Sequence, residues 1–80
     1  MLRDYLQAAM HRATYEIIDD GRMFYGEIPG LQGVYAAAAT LERCREELVE
    51  VLEGWVFFRL SRGLDIPALD GVELKVREVA

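Results

Sequence analysis

Residues capable of chemistry are few in this sequence. His11 is its only histidine and Cys44 its only cysteine, so neither has the partners that a zinc site requires. Asp19, Asp20 and Gly21 follow one another, but the twelve-residue pattern of a calcium loop is missing. We therefore expect a solvated histidine, a buried thiol that acts as a small apolar filler, and a hairpin turn. The sequence predicts no metal site and no cofactor.

Catalysis is not predicted from the other side chains either. No acid–base pair, nucleophile or phosphate-binding loop can be assembled from them, so we do not expect an enzyme. The formal net charge is −5, which repels phosphate backbones and argues against direct nucleic-acid binding. The same charge suits a basic protein as the partner.

Length and composition indicate one domain, residues 1–80, that associates with other chains. A chain of this size buries only about 60–65% of the surface that its unfolded form exposes. Because 52% of the residues are apolar, we expect part of the apolar surface to lie between copies in a homo-oligomer. With a single cysteine, no signal peptide and no long apolar run, we expect a cytoplasmic location and no contact with a membrane.

The elements that position these side chains follow from hydrophobic spacing and turn residues. Apolar residues at helical spacing predict a short helix over 1–12, ahead of a core over 13–80. Alternation predicts strands over 14–18, 22–28 and 34–38. The strands are separated by turns at Gly21 and at Pro29, Gly30 and Gly33. Such short connections predict an antiparallel meander.

A long helix is predicted after the three strands, from residue 41 to about residue 62. Thr40 is its expected N-cap and Gly63 the left-handed residue that ends it. Its predicted core-facing residues are Leu41, Cys44, Leu48, Val51, Leu52, Trp55 and Phe58. Alternation over residues 72–77 predicts a final strand. This order of elements indicates an α+β fold with the long helix packed on the sheet.

Two kinds of surface residue are candidates for binding. Some apolar residues of the long helix lie outside its core-facing side, and we expect an oligomer interface there: Val49, Val56, Phe57 and Leu60. Candidates for contact with a partner are Tyr25 and Glu27, which share one face of a strand, and the acidic residues Glu46, Glu50 and Glu53 of the long helix. For each partner-binding group, a solvated surface without a partner is the alternative.

Several segments taken together resemble the HicB-like antitoxin family. In order along residues 14–71 they are Tyr15-Glu16-Ile17-Ile18, Tyr25-Gly26-Glu27-Ile28-Pro29-Gly30, Gly33-Val34, Thr40-Leu41-Glu42, Cys44-Arg45, Leu52-Glu53-Gly54-Trp55 and Gly63-x-x-Ile66-Pro67. The resemblance implies a degraded RNase H-like fold, with the core order β-β-β-α-β. It also implies a role in a toxin–antitoxin system.

The function implied by this resemblance is protein binding. Members of the family bind a small basic HicA-like toxin that cleaves messenger RNA, and they mask its catalytic histidine. Many also carry a C-terminal DNA-binding module, but only ten residues follow Asp70, so the resemblance is to a short form without it. The alternative is a stand-alone homo-oligomer, a dimer or tetramer, of the same fold with no toxin partner.

Overall fold

The computed structural model describes residues 2–69 and residue 71. Helices and strands follow in the order α1 (Leu2–His11), β1 (Thr14–Ile18), β2 (Met23–Glu27), β3 (Tyr35–Ala38) and α2 (Leu41–Ser61). The strands form one antiparallel sheet in the order β1-β2-β3, and α2 packs across one of its faces. The predicted α+β architecture is confirmed. The predicted final strand lies outside the described residues, and the single-domain assignment stays a prediction.

A tight turn joins β1 to β2. The Arg22 N–H donates a hydrogen bond to the Asp19 carbonyl oxygen at 3.1 Å. Asp19, Asp20 and Gly21 all have left-handed backbone, with φ of 54°, 55° and 84°. The turn at Gly21 is therefore confirmed, although the strand begins at Met23 rather than at residue 22. Two aspartates share the left-handed conformation because a short polar side chain tolerates it better than most.

The connection between β2 and β3 is a compact turn that contributes to the core. Ile28, Leu31 and Val34 are buried, and the Leu31 N–H donates to the Ile28 carbonyl oxygen at 3.1 Å. Gly30 and Gly33 have φ of 91° and 94°, a conformation that glycine adopts without steric cost. The predicted turn residues Pro29, Gly30 and Gly33 all lie in this segment, so the turn is confirmed.

Both ends of α2 are formed by the predicted cap residues. Thr40 has an extended backbone, and its Oγ1 accepts a hydrogen bond from the Arg43 N–H at 3.1 Å. Gly63 has a φ of 66°, and its N–H donates to the Leu60 carbonyl oxygen at 3.3 Å. These bonds satisfy backbone groups that a helix end leaves unpaired. Within the described part of the chain, neither helix has the length and apolarity to cross a membrane.

Small residues let α2 approach the sheet closely. The small residues are Gly26, Ala36 and Ala38, on the covered face of the sheet that also carries Tyr15, Ile17 and Phe24. A Cβ atom at Gly26 would lie 2.8 Å from the Tyr15 ring and 3.2 Å from the Cys44 Sγ atom. The Cys44 thiol donates to the Ala36 carbonyl oxygen, with an Sγ–O distance of 3.5 Å. Helix and sheet therefore meet with little space between their backbones.

The buried side of α2 differs from the predicted one. It is formed by Cys44, Leu48, Leu52 and Val56. Val56 is only 2% exposed, so the prediction that it contributes to an oligomer interface is wrong. Leu41, Val51 and Phe58 were expected to face the core, but all three are exposed. The buried stripe is thus rotated around the helix axis toward Val56.

The position of α1 explains this rotation. Tyr5 and Ala9 are fully buried where α1 packs against α2 and the core. The Tyr5 hydroxyl donates to the Pro67 carbonyl oxygen at 2.5 Å, which ties α1 to the segment after α2. Because α1 covers the side of α2 that carries Val49, apolar residues on that side become buried. The opposite edge, with Val51, receives no such cover from the described residues.

Candidate interaction surfaces

The sheet presents aromatic and acidic side chains on the face turned away from α2. Strand pairing places Glu16 opposite Tyr25, and Tyr35 opposite Glu27. Because side chains alternate between the two faces of a strand, these four side chains share one face. We call this surface the open face (Glu16, Tyr25, Glu27 and Tyr35). The prediction that Tyr25 and Glu27 lie together is confirmed.

Two tyrosines form the centre of the open face. The rings of Tyr25 and Tyr35 stack with centroids 6.1 Å apart and an interplanar angle of 26°. Tyr35 is 57% exposed, so its ring offers a large aromatic surface to solvent. Partial burial raises the pKa of Tyr25, and the neighbouring Glu27, Tyr35 and Glu16 raise the pKa further. The carboxylates therefore act on the Tyr25 hydroxyl in addition to burial.

The acidic residues of α2 form a second, separate surface. Glu46, Glu50 and Glu53 are all more exposed than the buried stripe of the helix, and they lie away from it. Because α2 buries its opposite side against the sheet, these carboxylates point away from the sheet and cannot join the open face. The predicted partner-binding residues thus fall into two groups. We call the second group the acidic side of α2 (Glu46, Glu50 and Glu53).

The predicted oligomer residues are divided by burial. Phe57 is 74% exposed, whereas Val49 and Leu60 are half-buried. Phe58 is 50% exposed, with the Arg62 guanidinium 5.0 Å from its ring centroid. Phe57 and Phe58 are therefore the most exposed large apolar residues of α2, and Phe58 was missed because it was assigned to the core.

Trp55 fixes the turn between β2 and β3 to α2. Its Nε1–H donates to the Gln32 carbonyl oxygen at 3.1 Å. The Arg59 guanidinium lies 4.9 Å from the Trp55 ring centroid, and its Nε–H donates to the Asp65 carbonyl oxygen at 2.7 Å. Trp55 was predicted to lie in the core, but it is half-buried and lies at the boundary between the core and the surface. These contacts give Trp55 a structural role in the fold.

Cys44 and His11 were the residues first considered for chemistry, and the structure gives the surroundings of both. Cys44 is fully buried, and burial, followed by the nearby Glu47, raises the pKa of its thiol. This favours the protonated form, which is a poor nucleophile. His11 is exposed at the end of α1. Among residues 2–69 and 71, no three His, Cys, Asp or Glu side chains are placed to hold a metal ion.

Sequence reasoning missed a cleft between α1 and α2. It has a volume of about 750 Å³, and its lining includes the apolar Leu6 and Met10 together with Arg3, His11 and Arg45. No pattern in the sequence indicates it, since it arises from the packing of two distant helices. Glu16 and Tyr35 were also missed as members of the open face. The strand register identifies these two residues, because Glu16 lies directly opposite Tyr25 and Tyr35 lies directly opposite Glu27.

A three-stranded meander crossed by one long helix defines a small α+β protein. Comparison with known proteins identifies the group: the chain belongs to the UPF0150-like family, whose family model matches residues 4–67. It is also similar to TTHA0281 from Thermus thermophilus, known from a crystal structure. That protein is 44% identical, with a TM-score of 0.90 over 96% of this chain and 95% of that chain. No curated protein matches the chain.

Proposed function

We propose that this protein is an antitoxin-type binding protein, similar to the HicB-like antitoxins. It neutralises a small basic HicA-like toxin by covering the histidine with which that toxin cleaves messenger RNA. The observation that carries the proposal is the open face, where a stacked tyrosine pair, half-buried at Tyr25 and exposed at Tyr35, lies beside the carboxylates of Glu16 and Glu27 on the antiparallel sheet. Aromatic residues are enriched at the centres of protein interfaces, and a rigid sheet limits the entropy lost on binding.

The charge of the chain supports a basic protein partner. The net charge is −5, and the open face and the acidic side of α2 add carboxylates to different sides of the molecule. Opposite charge speeds the encounter of two proteins and excludes wrong partners. A toxin that binds RNA must carry a positive surface, so an acidic inhibitor competes for the same surface.

The residues that resemble the antitoxin family mostly build the fold. Gly26 allows α2 to approach the sheet, Ile28 lies in the core, and Trp55 anchors the turn at Gln32. They support the same architecture as the antitoxins. Partner recognition is then left to side chains that the fold does not need, chiefly those of the open face. The proposed role requires no catalysis by this chain and a cytoplasmic location.

Co-expression with the neighbouring gene tests the proposal. We expect an adjacent reading frame to encode a small protein rich in lysine and arginine, with one histidine. Its expression alone should arrest growth, and this protein should restore growth and copurify with it. The matched control is the toxin with its histidine changed to alanine, which should be harmless but still copurify. Arrest that this protein does not relieve would contradict the proposal.

Self-association is the second candidate function, and a separate observation favours it. Phe57 and Phe58 expose two large apolar side chains on consecutive residues of α2, as at the contact of a dimer or tetramer. Light scattering on the purified chain measures the assembly. Phe57→Glu should produce monomers, whereas Ile17→Glu, at a position 64% exposed on another element, should not. A monomeric parent protein, or an oligomer that survives Phe57→Glu, would exclude this interface.

A further inference from the structure

We infer that the open face is an arginine-binding site: the guanidinium of an arginine on the basic partner stacks on the Tyr25–Tyr35 pair while Glu16 and Glu27 accept its hydrogen bonds. This inference rests on the proposed function for its partner, a basic protein. It goes further by assigning the contact to one surface and one side-chain chemistry.

The aromatic pair supplies the stacking surface. The two ring centroids lie 6.1 Å apart, the ring planes are within 26° of parallel, and Tyr35 is more than half exposed. A cation is attracted to an aromatic face within about 6 Å of its centroid. The chain itself uses this contact on α2, where Arg59 lies 4.9 Å from the Trp55 centroid and Arg62 lies 5.0 Å from the Phe58 centroid.

The carboxylates supply the hydrogen-bond acceptors. Glu27 is paired directly with Tyr35 across the strands, and Glu16 with Tyr25, so one carboxylate accompanies each ring. Side chains paired in this way have Cβ atoms about 4.5–5.5 Å apart. A guanidinium can therefore stack and donate at the same time. A lysine ammonium can lie over a ring and donate, but it is a compact charge without a planar face, so it lacks the stacking and the forked hydrogen bonds of a guanidinium and should bind more weakly.

No positive side chain within the three strands neutralises the open face. The strand positions on this side of the sheet are Thr14, Glu16, Ile18, Met23, Tyr25, Glu27, Tyr35 and Ala37, without a lysine or arginine. Among the strand residues that the structure describes, this side of the sheet thus carries carboxylates and no positive charge. Nucleobases would also stack on tyrosine, but the attached phosphates would meet Glu16 and Glu27. A second copy of this chain would bring like charges together if it docked through the same face.

Peptide titration of the whole protein tests the site without the toxin. The probes are three blocked peptides of one sequence that carry arginine, lysine or uncharged citrulline at the same positions. Amide and tyrosine-ring NMR signals report where each peptide binds. We expect the arginine peptide to move the signals of Tyr25 and Tyr35 most, and the affinity to fall from arginine to lysine to citrulline. Equal binding of the arginine and lysine peptides would overturn the inference.

Matched charge-reversal variants distinguish binding at the open face from general electrostatic attraction to an acidic protein. Glu16→Lys combined with Glu27→Lys alters the open face, and Glu46→Lys combined with Glu50→Lys alters the acidic side of α2. Each exchange adds two charges, so either pair changes the net charge from −5 to −1. We expect the open-face pair to weaken arginine-peptide binding about tenfold or more, and the α2 pair about twofold or less. Equal losses would overturn the inference.

Two variants at Tyr35 test how much the aromatic ring contributes to arginine binding. Tyr35→Ala should weaken arginine-peptide binding about fivefold, whereas Tyr35→Phe, which keeps the ring, should stay within about twofold of the parent protein. Tyr35 is exposed, so neither exchange disturbs the core, and circular dichroism verifies the fold. Unchanged binding by folded Tyr35→Ala would overturn the inference, as would stronger ring shifts with a short single-stranded RNA.

The same variants distinguish failure of the site from failure of the proposed function. If the arginine peptide binds at the open face but no basic neighbour copurifies, the site stands and the antitoxin role fails. If the toxin copurifies equally with the open-face variants and is lost with the α2 pair, the antitoxin role stands and the site is overturned.

Discussion

The two faces of the sheet differ in charge and, around Gly26, also in the size of their side chains. On the covered face, Gly26 and Ala36 are small, and α2 lies close enough for the Cys44 thiol to reach a strand carbonyl. Tyr25 and Glu27, which precede and follow Gly26 in β2, lie on the open face and are large and polar. Strand alternation therefore places the packed face and the proposed recognition face a single step apart along the chain. A register slip of one residue would turn the side chains of each face to the other face.

The largest expected effect follows from adding bulk at the closest approach on the covered face. Gly26→Val should lower the free energy of unfolding by about 3 kcal/mol, because its Cβ alone would lie 2.8 Å from the Tyr15 ring. Urea denaturation followed by circular dichroism, at one protein concentration, measures the change. A stable Gly26→Val protein would show that α2 is not held close to the sheet.

A pair of adjacent alanines compares the two faces directly. Ala36 is buried on the covered face, whereas Ala37 is exposed beside Tyr25. Ala36→Val should cost about 1–3 kcal/mol by overpacking. Ala37→Val should stay within about 0.5 kcal/mol, since valine suits an exposed strand position. Equal costs, measured by the same urea denaturation, would contradict the assignment of the faces.

Thr40, the N-cap of α2, stabilises the start of the helix that covers the sheet. Thr40→Ala removes the oxygen that accepts from the Arg43 N–H and should cost about 1 kcal/mol. Thr40→Ser keeps an acceptor at the same place and is the matched control. The thermal midpoint of both variants, relative to the parent protein, checks the prediction. A Thr40→Ala protein as stable as Thr40→Ser would mean that tertiary packing alone holds this end.

Sequence patterns predicted the parts of the fold that depend on neighbours along the chain. The turn at Gly30 and Gly33, the cap at Thr40 and the helix end at Gly63 each follow from one residue's own conformational preference. Strand alternation also placed Tyr25 and Glu27 together. These features need no knowledge of what packs against them.

The parts that depend on distant neighbours were predicted poorly. Val56 was assigned to an interface and Phe58 to the core, but Val56 is buried and Phe58 is exposed. The error came from the position of α1, which covers one flank of α2 and which no pattern within α2 reveals. The two groups of candidate partner-binding residues were predicted without their relative placement, and the structure puts the carboxylates of α2 on the side of the molecule away from the open face.

The open face should contribute less to stability than the covered face. Tyr35→Ala removes a stacked aromatic ring that is mostly exposed, so it should cost only about 0.5–1 kcal/mol. Urea denaturation measures this loss, with Tyr35→Phe as the control that retains the ring. A loss as large as that of Gly26→Val would mean that the open face is part of the folding core, and its assignment to recognition would fail.

The smallest effect concerns the ionisation of Tyr25. Its pKa is raised above the ordinary value of 10.0, chiefly by partial burial and then by Glu27. Glu27→Gln should lower the pKa of Tyr25 without returning it fully to that value, because burial remains. NMR titration of the Tyr25 ring carbons measures the shift. Glu46→Gln makes the same charge change on α2 and should leave the pKa of Tyr25 unchanged.

The sign of the resulting pH dependence follows from linkage. The folded chain holds the Tyr25 proton to higher pH than the unfolded chain, so this group lowers the free energy of unfolding only as the pH rises above 10.0. Below that pH it has no effect. Glu27→Gln should therefore weaken the alkaline loss of stability, whereas Glu46→Gln should not. Equal effects of the two variants would mean that Tyr25 senses the net charge of the protein, and the open face would lose its separate electrostatic character.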